Sequence, residues 1–206
     1  MFVRLLAAPF GCILLVPLGL GQNVIATVAG GGFAFRGDGR PASAAQLWPV
    51  SGVAVDAAKN LFASDPGNNI VVKISPSGLL TVVAGNGLGG LSGDGGPATS
   101  ASLSLKETGY GSGDIAVDDA GNLYIADSNN ARVRKVAPDG TITTVAGGGS
   151  QRCCTVGPAT SMRFANIKGV AVDKAGNLYL AEPYFKQVFK LDAKRDDYSR
   201  RRQRTV

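Results

Sequence analysis

The stretch "DIAVDDAGNLYIADSNNARVRKVAPDGTITTVAG", residues 114–147, decides how the rest of the chain is read. Its apolar runs are short and rich in β-branched and aromatic residues, which suits strands and not helices. "DIAV" and "NLYIAD" are joined by "DDAG", a turn whose glycine tolerates the positive φ of a tight reversal. "ARVRKV" mixes Val133 and Val136 with basic residues, as a half-exposed strand does. "APDG" is a second turn, in which Pro138 presets φ and Gly140 closes the loop. "TITTVAG" then supplies a fourth strand. Four short strands joined by tight turns predict one antiparallel sheet.

The same unit recurs on both sides. "GVAVDAAKNLFASD" from Gly52 and "GVAVDKAGNLYLAE" from Gly169 copy the first half, while "IATVAG" from Ile25 and "LLTVVAG" from Leu79 copy the last strand. Asp56 to Gly85 and Asp118 to Gly147 both span 29 positions, whereas the connectors from "VAG" glycine to "VD" aspartate span 26, 33 and 26. A constant core with an adjustable connection marks a repeated structural unit. Four antiparallel strands at this period predict β-propeller blades.

These motifs resemble the NHL-repeat family, in its long-insert bacterial type that is also similar to the teneurin propeller. "GVAVD", "GNLYIAD", "NNARVRKV" and "GTITTVAG" carry the resemblance, with "SGDGGPATSASL" in the connector. It covers roughly residues 23–192. The chain departs from the pattern at Lys59, which replaces a turn glycine, at "CCTVGPATSMRF" in the third connector, and at Glu182-Pro183. The expected fold is therefore all-β, an incomplete arc of about three blades spanning residues 31–85, 86–147 and 148–192, preceded by a leading strand at 24–30.

Composition narrows the function. The chain has 206 residues, 45% hydrophobic and 17% charged, with 29 glycines and a net charge of +6. Six Lys/Arg and two Asp lie from Ala193 onward, and Arg4 adds another charge, so the repeat body is nearly neutral. No basic face for nucleic acid follows. With no histidine, a Ser-His-Asp triad and a His-ligated metal are excluded. Residues 1–21 place Arg4 ahead of an apolar stretch and end in small residues, the layout of a cleaved secretory signal. Pro9 and Pro17 interrupt a run already short for a membrane span. The expectation is a secreted or periplasmic protein without a span after cleavage. Of its cysteines, Cys153 and Cys154 are then retained, and a vicinal disulfide, an intermolecular bridge or two unpaired thiols all stay open.

The ending "AKRDDYSRRRQRTV", residues 193–206, breaks the pattern where a fourth strand is due. In one choice of codons, a one-base shift turns the ten residues from Asp196 into Gly-Thr-Ile-Thr-Arg-Val-Ala-Gly-Asn-Gly, the missing strand and the start of a connector. The expectation is a shifted reading frame near residue 193, leaving the third unit without its outer strand. A solvated basic tail or a heparin or nucleic-acid patch is the competing reading. Blade edges left open would invite self-association.

The leading functional expectation is a non-enzymatic interaction platform for a protein or carbohydrate ligand, without a cofactor. Its contacts are sought in the loops, at Arg36, Asp38, Arg40, Trp48, Asp94 and Tyr110. "RGDG" from Arg36 looks like an adhesion motif, but Asp38 aligns with Asp94 of a repeated turn, which favours a structural role. The alternatives are a propeller hydrolase or lyase, such as a calcium-dependent lactonase, and the sensor domain of a larger signalling protein. Asp56, Asp118 and Asp173 recur at one repeat position, and Asp65, Asp127 and Glu182 at another. Recurrence in every unit points to turn hydrogen bonding, because an active site needs asymmetry.

Overall fold

A computed structural model describes residue 35, residues 37–105, 113–152 and 157–193, and the backbone of 198–200. The expected signal segment, the leading strand at 24–30, Arg36, Tyr110, Cys153, Cys154 and most of the tail lie outside the described residues. The first sheet contains β1 (Arg40–Pro41), β2 (Val53–Val55), β3 (Leu61–Asp65), β4 (Ile70–Ile74) and β5 (Leu79–Ala84), in the spatial order β1-β5-β4-β3-β2. The second runs β6 (Ile115–Val117), β7 (Leu123–Asp127), β8 (Arg132–Val136) and β9 (Ile142–Gly147) in sequence order. A two-residue parallel pair, β10 (Gln151–Arg152) with β11 (Met162–Arg163), lies in the connector that follows. The third sheet is β12 (Gly169–Val172), β13 (Leu178–Glu182), β14 (Gln187–Leu191) and β15 (Tyr198–Arg200). Within the three four-stranded units every pairing is antiparallel. These are propeller blades forming an incomplete arc. Among the described residues, no helix is long and apolar enough to cross a membrane.

One expectation is corrected. The third unit does have an outer strand, and the basic tail supplies it: Leu191 pairs with Tyr198, Lys190 with Ser199 and Phe189 with Arg200. Strand pairing runs through backbone amides and carbonyls, so an open edge on β14 accepts a segment whose side chains do not follow the repeat. The loop is one residue longer than in the second blade, where Val136 pairs with Ile142, so Tyr198 takes the pairing position of that buried isoleucine.

The connectors explain how sheets become a stack. Beyond β9, the second connector runs antiparallel along the outer strand: the Gly95 N–H donates to Ile142 O at 2.8 Å, and Pro97 bridges Thr141. A short 3₁₀ turn (Ala98–Ser100) reverses it. The segment from Ala101 to Leu105 then passes between the first two blades, burying Ala101, Leu103 and Leu105 completely. These join Phe62 and Val71 of the first blade and Ile115, Leu123, Ile125 and Ile142 of the second in one cluster. The third connector repeats this with Ala159, Met162 and Phe164 between the second and third blades. The first presents Phe35, Ala42, Ala45 and Leu47 to the first blade. The spacing apolar-x-x-apolar-x-apolar thus recurs in each connector, and in the second and third it forms a wedge between two sheets.

Glycine at the end of "VAG" is required by geometry. Gly85 and Gly147 have φ of 90° and 83°, and a Cβ on either would overlap the carbonyl oxygen of Asn69 or Ala131. Lys59 shows the opposite case. It sits at φ 66°, where its counterparts Gly121 and Gly176 have 81° and 80°, so the turn persists with a lysine in the left-handed region. Because that conformation costs an L-residue roughly 1–2 kcal/mol, Lys59→Gly is expected to raise unfolding stability by about 1 kcal/mol. Urea denaturation monitored by circular dichroism would show it; unchanged or lower stability would refute the strain.

Candidate functional site

Each blade's second strand ends in a buried carboxylate, and each of these holds a connector. Asp65 accepts from the backbone N–H of Trp48 at 3.1 Å, and from the N–H and Nδ2 of Asn68. Asp127 accepts from the N–H of Ser104 at 2.8 Å and from Asn130 Nδ2. Glu182 accepts from the N–H groups of Ala165 and Asn166 through one oxygen and of Tyr184 through the other. The three recurring carboxylates thus make the turn hydrogen bonds that their repetition implies, and they also tie the returning connector to the turn beside it. Burial pushes the Asp127 carboxyl above the usual range, against the pull of its hydrogen bonds and of Arg134.

The other repeated aspartates close the first hairpin. Asp56, Asp118 and Asp173 each accept from the backbone N–H and Nδ2 of an asparagine four residues on, Asn60, Asn122 and Asn177. Asp118 and Asp173 also accept the hydroxyls of Tyr124 and Tyr179, at 3.1 and 3.0 Å. The Asn60 and Asn177 side chains hold Asp56 and Asp173 below the ordinary carboxylate range. Burial first, then the neighbouring Asp118, pushes the Tyr124 hydroxyl up to about 12.

Asp38 and Asp94, foreseen as loop contacts, are structural counterparts. Asp38 accepts from the Val82 N–H at 2.7 Å. Asp94 accepts from Thr144 Oγ1 at 2.7 Å and pairs with Arg134 at 2.9 Å. Arg134 departs from the half-exposed alternation expected of this strand. It is fully buried between Asp94, the Ser92 carbonyl and Asp127, where its place in the first and third blades is taken by Val72 and Phe189. Arg40 lies in β1 opposite Leu80, exposed.

Trp48 remains as an exposed aromatic. Its backbone is held by Asp65, its ring lies so close over Gly67 that a Cβ there would overlap it, and it is 53% exposed. On the third blade the equivalent turn carries Tyr184, 75% exposed, set edge to face against Phe185. That pair replaces the Gly67-Asn68 and Asn129-Asn130 of the other blades. The signal was present in the sequence, since "EPYF" breaks the repeat at a turn where the other blades carry glycine or asparagine. Trp48 and Tyr184 share the strand ends that bear the connectors. Near the opposite ends, a cavity of about 670 Å³ opens between the second and third blades, with Asp118, Tyr124, Lys135, Thr144 and Asp192 among its lining. Among the described residues, no three His, Cys, Asp or Glu side chains are placed to hold a metal ion.

Residues 113–136 match the family model of the NHL repeat. The fold is similar to that of a Xanthomonas campestris gluconolactonase, at 15% identity and a TM-score of 0.53, over 75% of this chain and 48% of that one. It is also similar to an auxiliary nutrient binding protein from Bacteroides ovatus (20% identity, TM-score 0.51, 67% of this chain and 36% of that one). A protein of unknown function from Bacteroides thetaiotaomicron gives 21% identity and a TM-score of 0.51, over 73% of this chain and 35% of that one. The chain thus spans between a third and a half of these proteins' lengths. A search of curated protein sequences finds no match.

Two outcomes check the geometry. Arg134→Met leaves Asp127 buried with one partner fewer, and removal of one member of such a pair costs ~3–5 kcal/mol; Asp94→Ala, at a half-exposed carboxylate, is expected to cost about 1 kcal/mol. Equal losses in urea titration would refute the buried network. Tyr124 has a folded pKa of about 12, above the ~10 of an unfolded tyrosine. Its contribution to stability is therefore complete below pH ~10 and is lost as pH rises toward 12. Tyr124→Phe, the residue type found at Phe62, should flatten this alkaline loss; an unchanged pH profile would refute the assignment.

Proposed function

We propose that this NHL-repeat β-propeller chain is a binding platform, which works outside the cytoplasm and takes a protein or carbohydrate ligand on the face that bears its connectors. The observation that carries this reading is the division of labour among the loops. Asp38, Asp65, Asp94, Asp127 and Glu182 all spend their oxygens on backbone and side-chain donors of the chain itself. Trp48 in the first connector and Tyr184 in a turn of the third blade instead show half or more of their surface, at positions where other blades carry small or polar residues. Exposed aromatic rings beside amide-rich turns supply large contact area at low entropic cost, for a sugar face or for an apolar side chain of a peptide. The apolar N-terminal segment supports export.

The cavity between the second and third blades favours a second reading, a hydrolase or lyase, since it gathers Asp118, Lys135, Tyr124 and Asp192. Its chemistry is unfavourable to that reading. A general base works best with a pKa near the operating pH, and Tyr124 is driven away from it, up to about 12.

The chain has one tryptophan, so its fluorescence reports on the proposed face without labelling. Titration with soluble oligosaccharides and with unstructured peptides is expected to give a saturable change in Trp48 emission for one class, weakened at least tenfold by Tyr184→Ala. Silence with both classes, together with a large rise in Tm on adding calcium, would overturn the platform in favour of the enzyme reading.

A further inference from the structure

We propose that two copies of this chain associate through the uncovered faces of their first and third blades, so that two arcs close one ring of six blades.

The argument rests on the repeat. Inside the chain, a junction between blades has two halves. The leading half, at the first-to-second junction, is Ile115, Val117 and Leu123; the trailing half is Ala54, Phe62 and Val71. At the second-to-third junction the same positions are Val170, Val172 and Leu178 against Ala116, Tyr124 and Val133. In both junctions the strand residues of the leading half are buried or partly buried. The first blade presents a third leading half, Val53, Val55 and Leu61, of which Val53 is 63% and Val55 58% exposed. The third blade presents a third trailing half, Ala171, Tyr179 and Val188, with Val188 45% exposed where its counterpart Val133 is wholly buried. The described residues therefore contain two complete junctions and the two separated halves of a third.

Those halves are fitted to one another in more than hydrophobicity. The first blade already carries the connector wedge that a junction needs, since Phe35, Ala42, Ala45 and Leu47 pack on its leading side. Among the described residues, the third blade carries none on its trailing side. At the inner ends, Gly52 approaches the next blade so closely that a Cβ would lie 2.8 Å from Asp114 Cα. Gly169 stands at the same repeat position on the third blade, so the third junction can close as tightly. The tail strand β15 completes the third blade to four strands, which gives the trailing face the width of the other two.

A second copy is the occupant that satisfies both faces at once. A single heterologous contact repeated from copy to copy must either close into a ring or run on as a filament. Three blades correspond to 48% of the gluconolactonase chain that they superpose on, so two arcs make up about one such propeller. Six lies within the usual four to eight blades, and closure removes both exposed sheet faces and their aggregation hazard.

The test is the mass of the full chain by light scattering and sedimentation over a range of concentrations. The expected value is twice the 21.0 kDa of one chain. Val53→Lys and Val188→Lys each place a charge on one half of the junction, at positions already exposed in the single arc, so folding is spared. Each is expected to raise the dimer dissociation constant at least tenfold, while Thr143→Lys, exposed on β9, leaves it unchanged. A monomer at every concentration overturns the proposal, because the faces are then covered by the chain itself or stay open. A dimer that survives both substitutions overturns it as well, since the contact then lies elsewhere. Species that grow without limit as concentration rises would show a contact that does not close.

Discussion

The buried carboxylate at the end of each blade's second strand is the interaction on which the rest of this structure depends. Asp65, Asp127 and Glu182 each reach from the sheet to the backbone of the connector that has just returned from the outer edge. A carboxylate taken out of water is costly unless its lone pairs are filled. Here they are filled by amide donors of two different segments, so the sheet and the connector fold as one unit. Glu182 does the same with a longer side chain by serving two connector amides through one oxygen, which is why the replacement of aspartate leaves the blade intact. In the second blade Arg134 extends this latch outward to Asp94, joining the inner and outer ends of the connector through one guanidinium.

With the connector fixed, packing follows. Its alternating apolar residues point into the space between two sheets, where they join the facing strand residues of both in one cluster. The second blade buries its leading face on one wedge and its trailing face on the next. Stability is therefore shared among neighbours in a line, as in other repeat architectures, and the terminal blades are left with one face each that nothing described covers. The proposed self-association and the proposed ligand face make separate demands on the chain. The first uses the sides of the terminal blades, and the second uses loops at the strand ends.

The departures from the repeat divide by physics into two kinds. Lys59 and Tyr198–Arg200 are tolerated because the backbone carries the structure at those places: a left-handed turn can be forced on lysine at modest cost, and an edge strand pairs through amides whatever its side chains. Trp48, Arg134 and Tyr184 are departures of side chain on an unchanged backbone. Arg134 turned inward, where a buried acid and a connector carboxylate awaited it. Trp48 and Tyr184 keep half or more of their surface in solvent.

The sequence by itself determined the all-β class, the strands, their turns and the period, because alternating apolar runs and turn glycines are local signals that the backbone obeys locally. It also made the structural role of the repeated aspartates legible, since a group needed once per blade belongs to the blade. Only the tertiary structure decided what the connectors do, that Arg134 is buried, and that the tail completes the third sheet. The burial of Arg134 depends on surfaces that meet across 40 or more residues, as with Arg134 and Ser92 or Asp94 and Thr144. A basic residue between valines reads as solvent-facing until the buried carboxylate opposite it is known, and an open strand edge recruits a partner by geometry that no side-chain pattern announces.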